Sequence, residues 1–328
     1  MLEARLKALL ANAEDVRRET RMQPISTLSR GYDSVACTVL ARPAGCREVL
    51  CFHDPSSEEP HADDGTELAA RLGLRSHSMS RLAYRELADE PVFLATGTGG
   101  EDAFFAPYAS LLRHRVLVSG FHGDKVWDRH TTYLSSDIVR GDPSGGDLEE
   151  FRLRVGFFHV PLPFVGCQDV SAIHAISNHE ELSAWRVPGG YDRPICRRLG
   201  EDAGLLRADF GMRKRVMSRA FNESSKMGEY FGAGSLRRFT SYLDKHHVAA
   251  TWSQRALHRI SRGSLASERI IGRYSFRLGQ LAGRPAAMLS RFQDDFDAKR
   301  AIFPWAFEVL LDEYQSALNA AQGNTRSG

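Results

Sequence analysis

The sequence predicts a parallel α/β sheet flanked by helices, followed by a helical C-terminal subdomain. Three observations carry this. Between Ile25 and Ser119, short β-branched and apolar runs alternate with stretches whose apolar residues recur at helical spacing. The first run breaks into a turn of serines, glycine and aspartate immediately before a helical pattern. From about residue 236 the chain is arginine-rich and aromatic, with helical spacing and no strand-like run.

In chain order, MLEARLKALLANAEDVRRE sets Leu2, Leu6, Leu9 and Leu10 at helical spacing and carries charge through its first turns, so residues 1–24 read as an amphipathic helix rather than a signal peptide. Ile25 to Leu28 is a strand. SRGYDS follows, and Val35, Ala36, Val39 and Leu40 then lie on one helix face. Val49 to Phe52 reads as the next strand, followed by the loop HDPSSEEPHADD and the helix-like TELAARLG; Val92 to Ala95 and Arg115 to Ser119 are further strands. Buried-looking strands separated by helices imply parallel crossovers, whose ligands collect at the carboxyl ends of the strands. The α/β domain spans 25–234. The remainder, 235–328, is expected to be helical and to pack over the sheet's carboxyl edge, helping to form the acceptor-substrate pocket; the alternative is that it only covers the sheet's flank or forms a dimer surface.

Composition narrows the function. Charged residues make up 26% of the chain and the net charge is +2, so neither a polybasic nucleic-acid surface nor a membrane surface is indicated. No apolar run reaches the roughly 18 residues of a spanning helix; VGFFHVPLPFVG is interrupted by a histidine and two prolines. The expected location is cytoplasmic, with no membrane partner and no nucleic acid. Cys37, Cys46, Cys51, Cys167 and Cys196 are odd in number and irregular in spacing, which suits reduced thiols. Cys46, Cys51 and His53 lack the CxxC pair of a zinc site.

Two loops carry chemistry. A turn entering a helix leaves backbone N–H groups pointing outward, and Gly31 allows close approach, so SRGYDS has the makings of an anion site. Ser29 and Ser34 add hydroxyls, and Asp33 suits a phosphate that arrives with Mg²⁺. The alternative is a solvated turn in which Asp or Ser caps the helix. The strand ending at Ser119 opens SGFHGDKVWD, with Gly120, Gly123 and Asp124. His122 there is a donor candidate or simply an exposed loop residue. GTGGED, from Gly97 to Asp102, reads as a flexible lid and SSEEPHADD as a solvated loop.

SRGYDS resembles the SGGxDS loop of the PP-loop ATP pyrophosphatases, the adenine-nucleotide α-hydrolase-like superfamily that includes asparagine synthetase, argininosuccinate synthetase and GMP synthetase. SGFHGDKVWD is similar to the SGxGxDExF segment of the synthetase domain of asparagine synthetase. GYDRPICRRLGEDAGLLRADFGMRKRV resembles the segment that completes that family's nucleotide site. The resemblance covers roughly residues 25 to 220. It implies ATP and Mg²⁺ as cofactors, with Ser29, Arg30, Gly31, Asp33, Ser34, Ser119, Gly120 and Gly123 around the nucleotide. Asp33 and Asp124 would meet the metal. Asp124 and Lys214 would act in catalysis, Lys214 drawing charge off the leaving pyrophosphate. Arg193, Arg197 and Arg198 lie beside Pro194, on a helix closed by Gly204; Arg197 and Arg198 cannot share one face. Arg30 stands where the family has its first glycine, and Lys125 where it has a glutamate.

The activity so implied is an ATP-dependent C–N ligase. A substrate carboxylate attacks the α-phosphorus of ATP, releasing pyrophosphate, and the acyl-adenylate passes to an amine or ammonia. Its partners would be a small-molecule carboxylate, an amine donor, and a separate ammonia-supplying or carrier protein, since no glutaminase cysteine follows Met1. Two other readings stay open. One is a degenerate nucleotide-binding scaffold or sensor, suggested by Arg30 and Lys125. The other is a PP-loop RNA-modifying enzyme, against which the near-neutral charge and the missing CxxC pair count.

Overall fold

The computed structural model describes residues 1–55, 57, 59, 61–87, 103–136, 148–211, 231–246 and 298–325. The chain divides into two compact units, Met1–Ala220 and Phe221–Gly328.

The first unit is built on five parallel strands: β1 (Gln23–Thr27), β2 (Glu48–His53), β3 (Arg75–Ser80), β4 (Arg115–Ser119) and β5 (Phe158–Pro161), in the order β3-β2-β1-β4-β5. β1 is central. It pairs with β2 at Ser26↔Val49 and with β4 at Ile25↔Leu117. Both faces of the inner strands are buried, as crossover helices require. Val49, Cys51, Val116 and Val118 belong to one core with Leu6 and Leu10 of α1 (Leu2–Ala13) and with Val35 and Cys37 of α2 (Tyr32–Ala41). On the opposite face, the ring of Phe52 meets the edges of Phe104, Phe105 and Tyr108 at 4.9–5.3 Å between centroids.

The hydroxyls of Ser26, Thr38 and Tyr108 inside this core all find partners. Ser26 and Thr38 share a hydrogen bond of 2.9 Å, and their hydroxyls also reach the carbonyls of Val118 and Thr27. Tyr108 donates at 2.6–2.7 Å toward the carbonyls of Cys51 and His77. The leucine spacing of α1 gives one buried face and one exposed face. Leu6 and Leu10 are inside, while Leu9 stays 37% exposed.

The strand expected at Val92–Ala95 lies outside the described residues, as does GTGGED. Arg75–Ser80 and Phe158–Pro161 are the two strands that apolar patterning misses. β3 is an edge strand of polar residues, RSHSMS, held by pairing along its whole length to β2. β5, the other edge, is four residues long and ends in a proline.

Near the amino edge, Glu48 ties three strands together. It accepts from His77 on β3 at 2.8 Å and from Arg115 on β4 at 2.5 Å. Burial raises its carboxyl pKa, but the hydrogen bonds from Arg115 and His77 outweigh this and hold it below the ordinary glutamate value. A depressed carboxylate contributes stability above its unfolded pKa and loses it as pH falls through the folded one. Glu48→Gln is therefore expected to melt lower than the native chain at pH 7, with the gap closing as the pH falls below about 4.5. A gap that is constant from pH 7 to pH 3 would assign the loss to packing instead.

Short helices α4 (Ala109–Leu112), α6 (Glu149–Val155), α7 (Leu162–Val165) and α8 (Val170–Asn178) also belong to the first unit, and the second unit joins α10 (Ala233–Lys245) and α11 (Ala298–Thr325). Phe231, Phe239 and Trp305 form a ring cluster at 5.1–5.7 Å, and Lys245 pairs with Glu308 at 3.0 Å. Among the described residues no helix is long and apolar enough to cross a membrane.

Candidate anion-binding site

The strand order reverses between β1 and β4, and in doubly wound sheets the crevice outside the carboxyl ends at that point is where ligands sit. Both chemistry-bearing loops are there. The first runs from the end of β1 into α2; the second runs from β4 into the one-turn helix α5 (Gly123–Val126).

The first loop is internally bonded. Ser29 N–H donates to Ser34 Oγ at 3.0 Å, the two hydroxyls lie 3.0 Å apart, and Gly31 N–H donates to Ser29 Oγ at 3.1 Å. Ser34 Oγ also reaches the carbonyls of Ser29 and Gly31. The two serines thus shape the turn. Arg30 leans on the next crossover, with its guanidinium 2.5 Å from Glu67 of α3 (Thr66–Arg71) and its N–H on the carbonyl of Asp63.

That crossover is the tail of the acidic loop, and it is more than solvated chain. Asp64 bridges back to Ser29 in antiparallel fashion and accepts from the N–H and hydroxyl of Thr66, the first residue of α3. Gly65 sits against the carbonyl of Leu28, where a Cβ would collide with backbone.

The two loops interlock through glycines. A Cβ on Gly120 would lie 2.6 Å from the Asp33 carbonyl carbon and 2.7 Å from Ser34 N; one on Gly123 would overlap the Asp33 carboxylate. Asp33 and Gly123, the residue before Asp124, are therefore in contact. Asp124 lies 3.5 Å from Lys125. Ser119 is buried, its hydroxyl 2.6 Å from Nε2 of His159 on β5, and its carbonyl accepts from the Cys37 thiol. His122 adopts a left-handed backbone, φ 65°, and its ring stacks on Phe164 at 4.7 Å. Lys214 lies outside the described residues.

Beneath the first loop lies α9 (Pro194–Asp202), opened by Pro194 and followed by Gly204 at φ 98°. Arg193, Cys196, Arg197 and Gly200 form its buried stripe. A Cβ on Gly200 would collide with the ring of Phe210 and press on Val35 of α2. Arg193, 1% exposed, pairs with the Asp33 carboxylate. Burial works against its charge, but Asp33 more than offsets this and raises its pKa. Arg197, equally buried, donates to the Trp185 carbonyl at 2.6 Å and to the Tyr32 hydroxyl. The two cations lie 5.0 Å from the ring centroids of Tyr191 and Tyr32 respectively. Arg198 is on the other face, stacked on Trp185 and paired with Glu181 at 2.7 Å.

Burial holds the Cys37 and Cys196 thiols well above their usual pKa, so both stay protonated and unreactive. Among the described residues no group of three or more His, Cys, Asp or Glu is placed to hold a metal ion. Tyr191 and His159 are the site residues that sequence reading misses; neither lies in a recognisable spacing.

No family model matches the sequence, and no curated protein matches it. Among solved structures, the chain is similar to a predicted subunit of tRNA methyltransferase from Methanocaldococcus jannaschii, at 14% identity and a TM-score of 0.27, over 47% of this chain and 76% of that one. The fold stands on the strand order itself. It is a doubly wound parallel sheet.

Proposed function

We propose that the chain binds the phosphates of ATP in the crevice between the β1 and β4 loops and uses the nucleotide to activate an acceptor. One observation carries this reading. Two fully buried guanidinium groups, Arg193 and Arg197, stand against a single carboxylate, Asp33, in their described contacts, directly under the first turn of α2 at the switch point. Buried charge that is not balanced is costly, and an anion at the loop mouth would balance it. The aligned peptides of α2 add to the same field.

ATP fits this electrostatic setting. Mg²⁺ would arrive with the phosphates. Asp33 is already committed to Arg193, so Asp124, at 29% side-chain exposure, is the carboxylate proposed to meet the metal. When bound, ATP supplies the adenylyl group and Mg²⁺ offsets phosphate charge. The chain's own part is to place the phosphates against backbone groups before reaction, over the buried guanidinium charge, where preorganised charge has most effect. The acceptor proposed is a carboxylate, activated as its acyl-adenylate for attack by an amine or ammonia, with Lys214 assisting pyrophosphate departure.

Calorimetry with Mg·ATP and ATP–pyrophosphate exchange test the reading, run once with a panel of carboxylic acids and once with total RNA. Asp124→Asn is expected to weaken Mg·ATP by roughly ten- to a hundredfold, the range for one charged interaction. Exchange stimulated by RNA alone would replace the carboxylate by a nucleic-acid acceptor. A native chain that binds neither ATP nor pyrophosphate would overturn the site.

A further inference from the structure

α2 begins at Tyr32 with Gly31 as its N-cap, and glycine has no side chain to accept from the orphan amides of the first turn. The cap comes from far along the chain. Tyr32 N–H donates to the Tyr191 hydroxyl at 3.3 Å across 159 residues. Two positions further, Arg193 takes the Asp33 carboxylate; one turn later, Arg197 takes the Tyr32 hydroxyl. These three ties to α2 land on the same two residues, Tyr32 and Asp33.

We propose that Tyr191, Arg193 and Arg197 are positioning residues: a clamp that fixes the first turn of α2 in its anion-receiving conformation without touching the anion. The inference rests on the nucleotide reading above. It also changes the role that the resemblance gives the arginines after Pro194, from contacts to phosphate to contacts with the loop that receives it. The geometry explains why position 197 needs an arginine. Arg197 spans from the Trp185 carbonyl to the Tyr32 hydroxyl, a fork that a lysine ammonium cannot reproduce at both ends. Tyr191 and Tyr32 are in ring contact at 4.8 Å, so the hydroxyl that caps the helix is held in register by its own ring.

The test pairs two readouts on the full chain: hydrogen exchange of the Tyr32 amide in the free protein, and Mg·ATP affinity by calorimetry. Tyr191→Phe deletes one hydroxyl. It is expected to speed Tyr32 exchange and to weaken Mg·ATP roughly fivefold, the worth of one neutral hydrogen bond. Arg197→Lys should do the same, and in Arg193→Ala added guanidinium should restore part of the lost affinity. Weakened binding with unchanged Tyr32 exchange would mean that Tyr191 contacts the anion itself, and would overturn the clamp. So would native affinity in all three folded variants. A native chain that does not bind Mg·ATP would instead overturn the nucleotide reading and the proposal with it, an outcome distinguishable because the native protein alone reveals it.

Discussion

Asp33→Asn is expected to destabilise the first unit by about 3–5 kcal/mol, the cost of leaving a buried charge without its partner, and to cost more than Arg193→Met. The change is nearly isosteric, so volume predicts the reverse order. Exposure decides it. Arg193 is 1% exposed, and Asp33 is 19% exposed at the side chain. Removing the carboxylate strands a guanidinium where water cannot reach, beside a second buried guanidinium on Arg197. Removing Arg193 leaves a carboxylate that water can partly solvate, so about 2–3 kcal/mol is expected there. Denaturant unfolding of the two single variants measures both. A larger loss for Arg193→Met would show that the arginine's buried stem, rather than charge balance, dominates.

Gly120→Ala is the second large effect. Its new Cβ would lie 2.6 Å from the Asp33 carbonyl carbon, 2.7 Å from Ser34 N and 2.8 Å from Asp33 Cβ. Two of these are main-chain atoms, so rotamer adjustment gives no relief and the loops must separate. Overpacking of this kind costs about 1–3 kcal/mol, and because the strain falls on the proposed phosphate loop, Mg·ATP binding is expected to be lost with it. Gly190→Ala is the control: nothing lies within 4 Å of a Cβ there, so the melting temperature should hold or rise slightly as the unfolded chain loses freedom. Equal melting and nucleotide affinity in both variants would show that the two loops are not in contact in solution.

The sequence made the two site loops legible because the signal is local. A serine and glycine turn between an apolar strand and an apolar helix face needs no distant partner to be recognised, and SRGYDS and SGFHGD both meet that description. β3 and β5 were not legible, since RSHSMS and FHVP owe their strand character to the neighbours they pair with. The arginines after Pro194 could be flagged, and the spacing of Arg193, Cys196, Arg197 and Gly200 marks one helix face. That this face turns inward, toward Asp33 and Tyr32, is a tertiary fact that no local pattern encodes. The same holds for Tyr191 and for the bond between Ser119 and His159, each joining residues far apart in the chain.

The central position of β1 sets an order on synthesis. Its first neighbour, β2, is made soon after it, but the other flank waits for β4, with Ile25 against Leu117. The segment from Tyr191 to Arg197 emerges later still, after all five strands. A nascent chain that has released β5 can therefore assemble the sheet with Asp33 lacking its arginine and Tyr32 lacking its cap. Domains fold as units while the ribosome adds residues at about 5–20 per second, so the loop is the part of this unit that is made early and finished last. Substitutions around Pro194 would thus act on newly made chains, exposing the carboxyl edge of a nearly complete sheet for longer, even where the mature protein tolerates them.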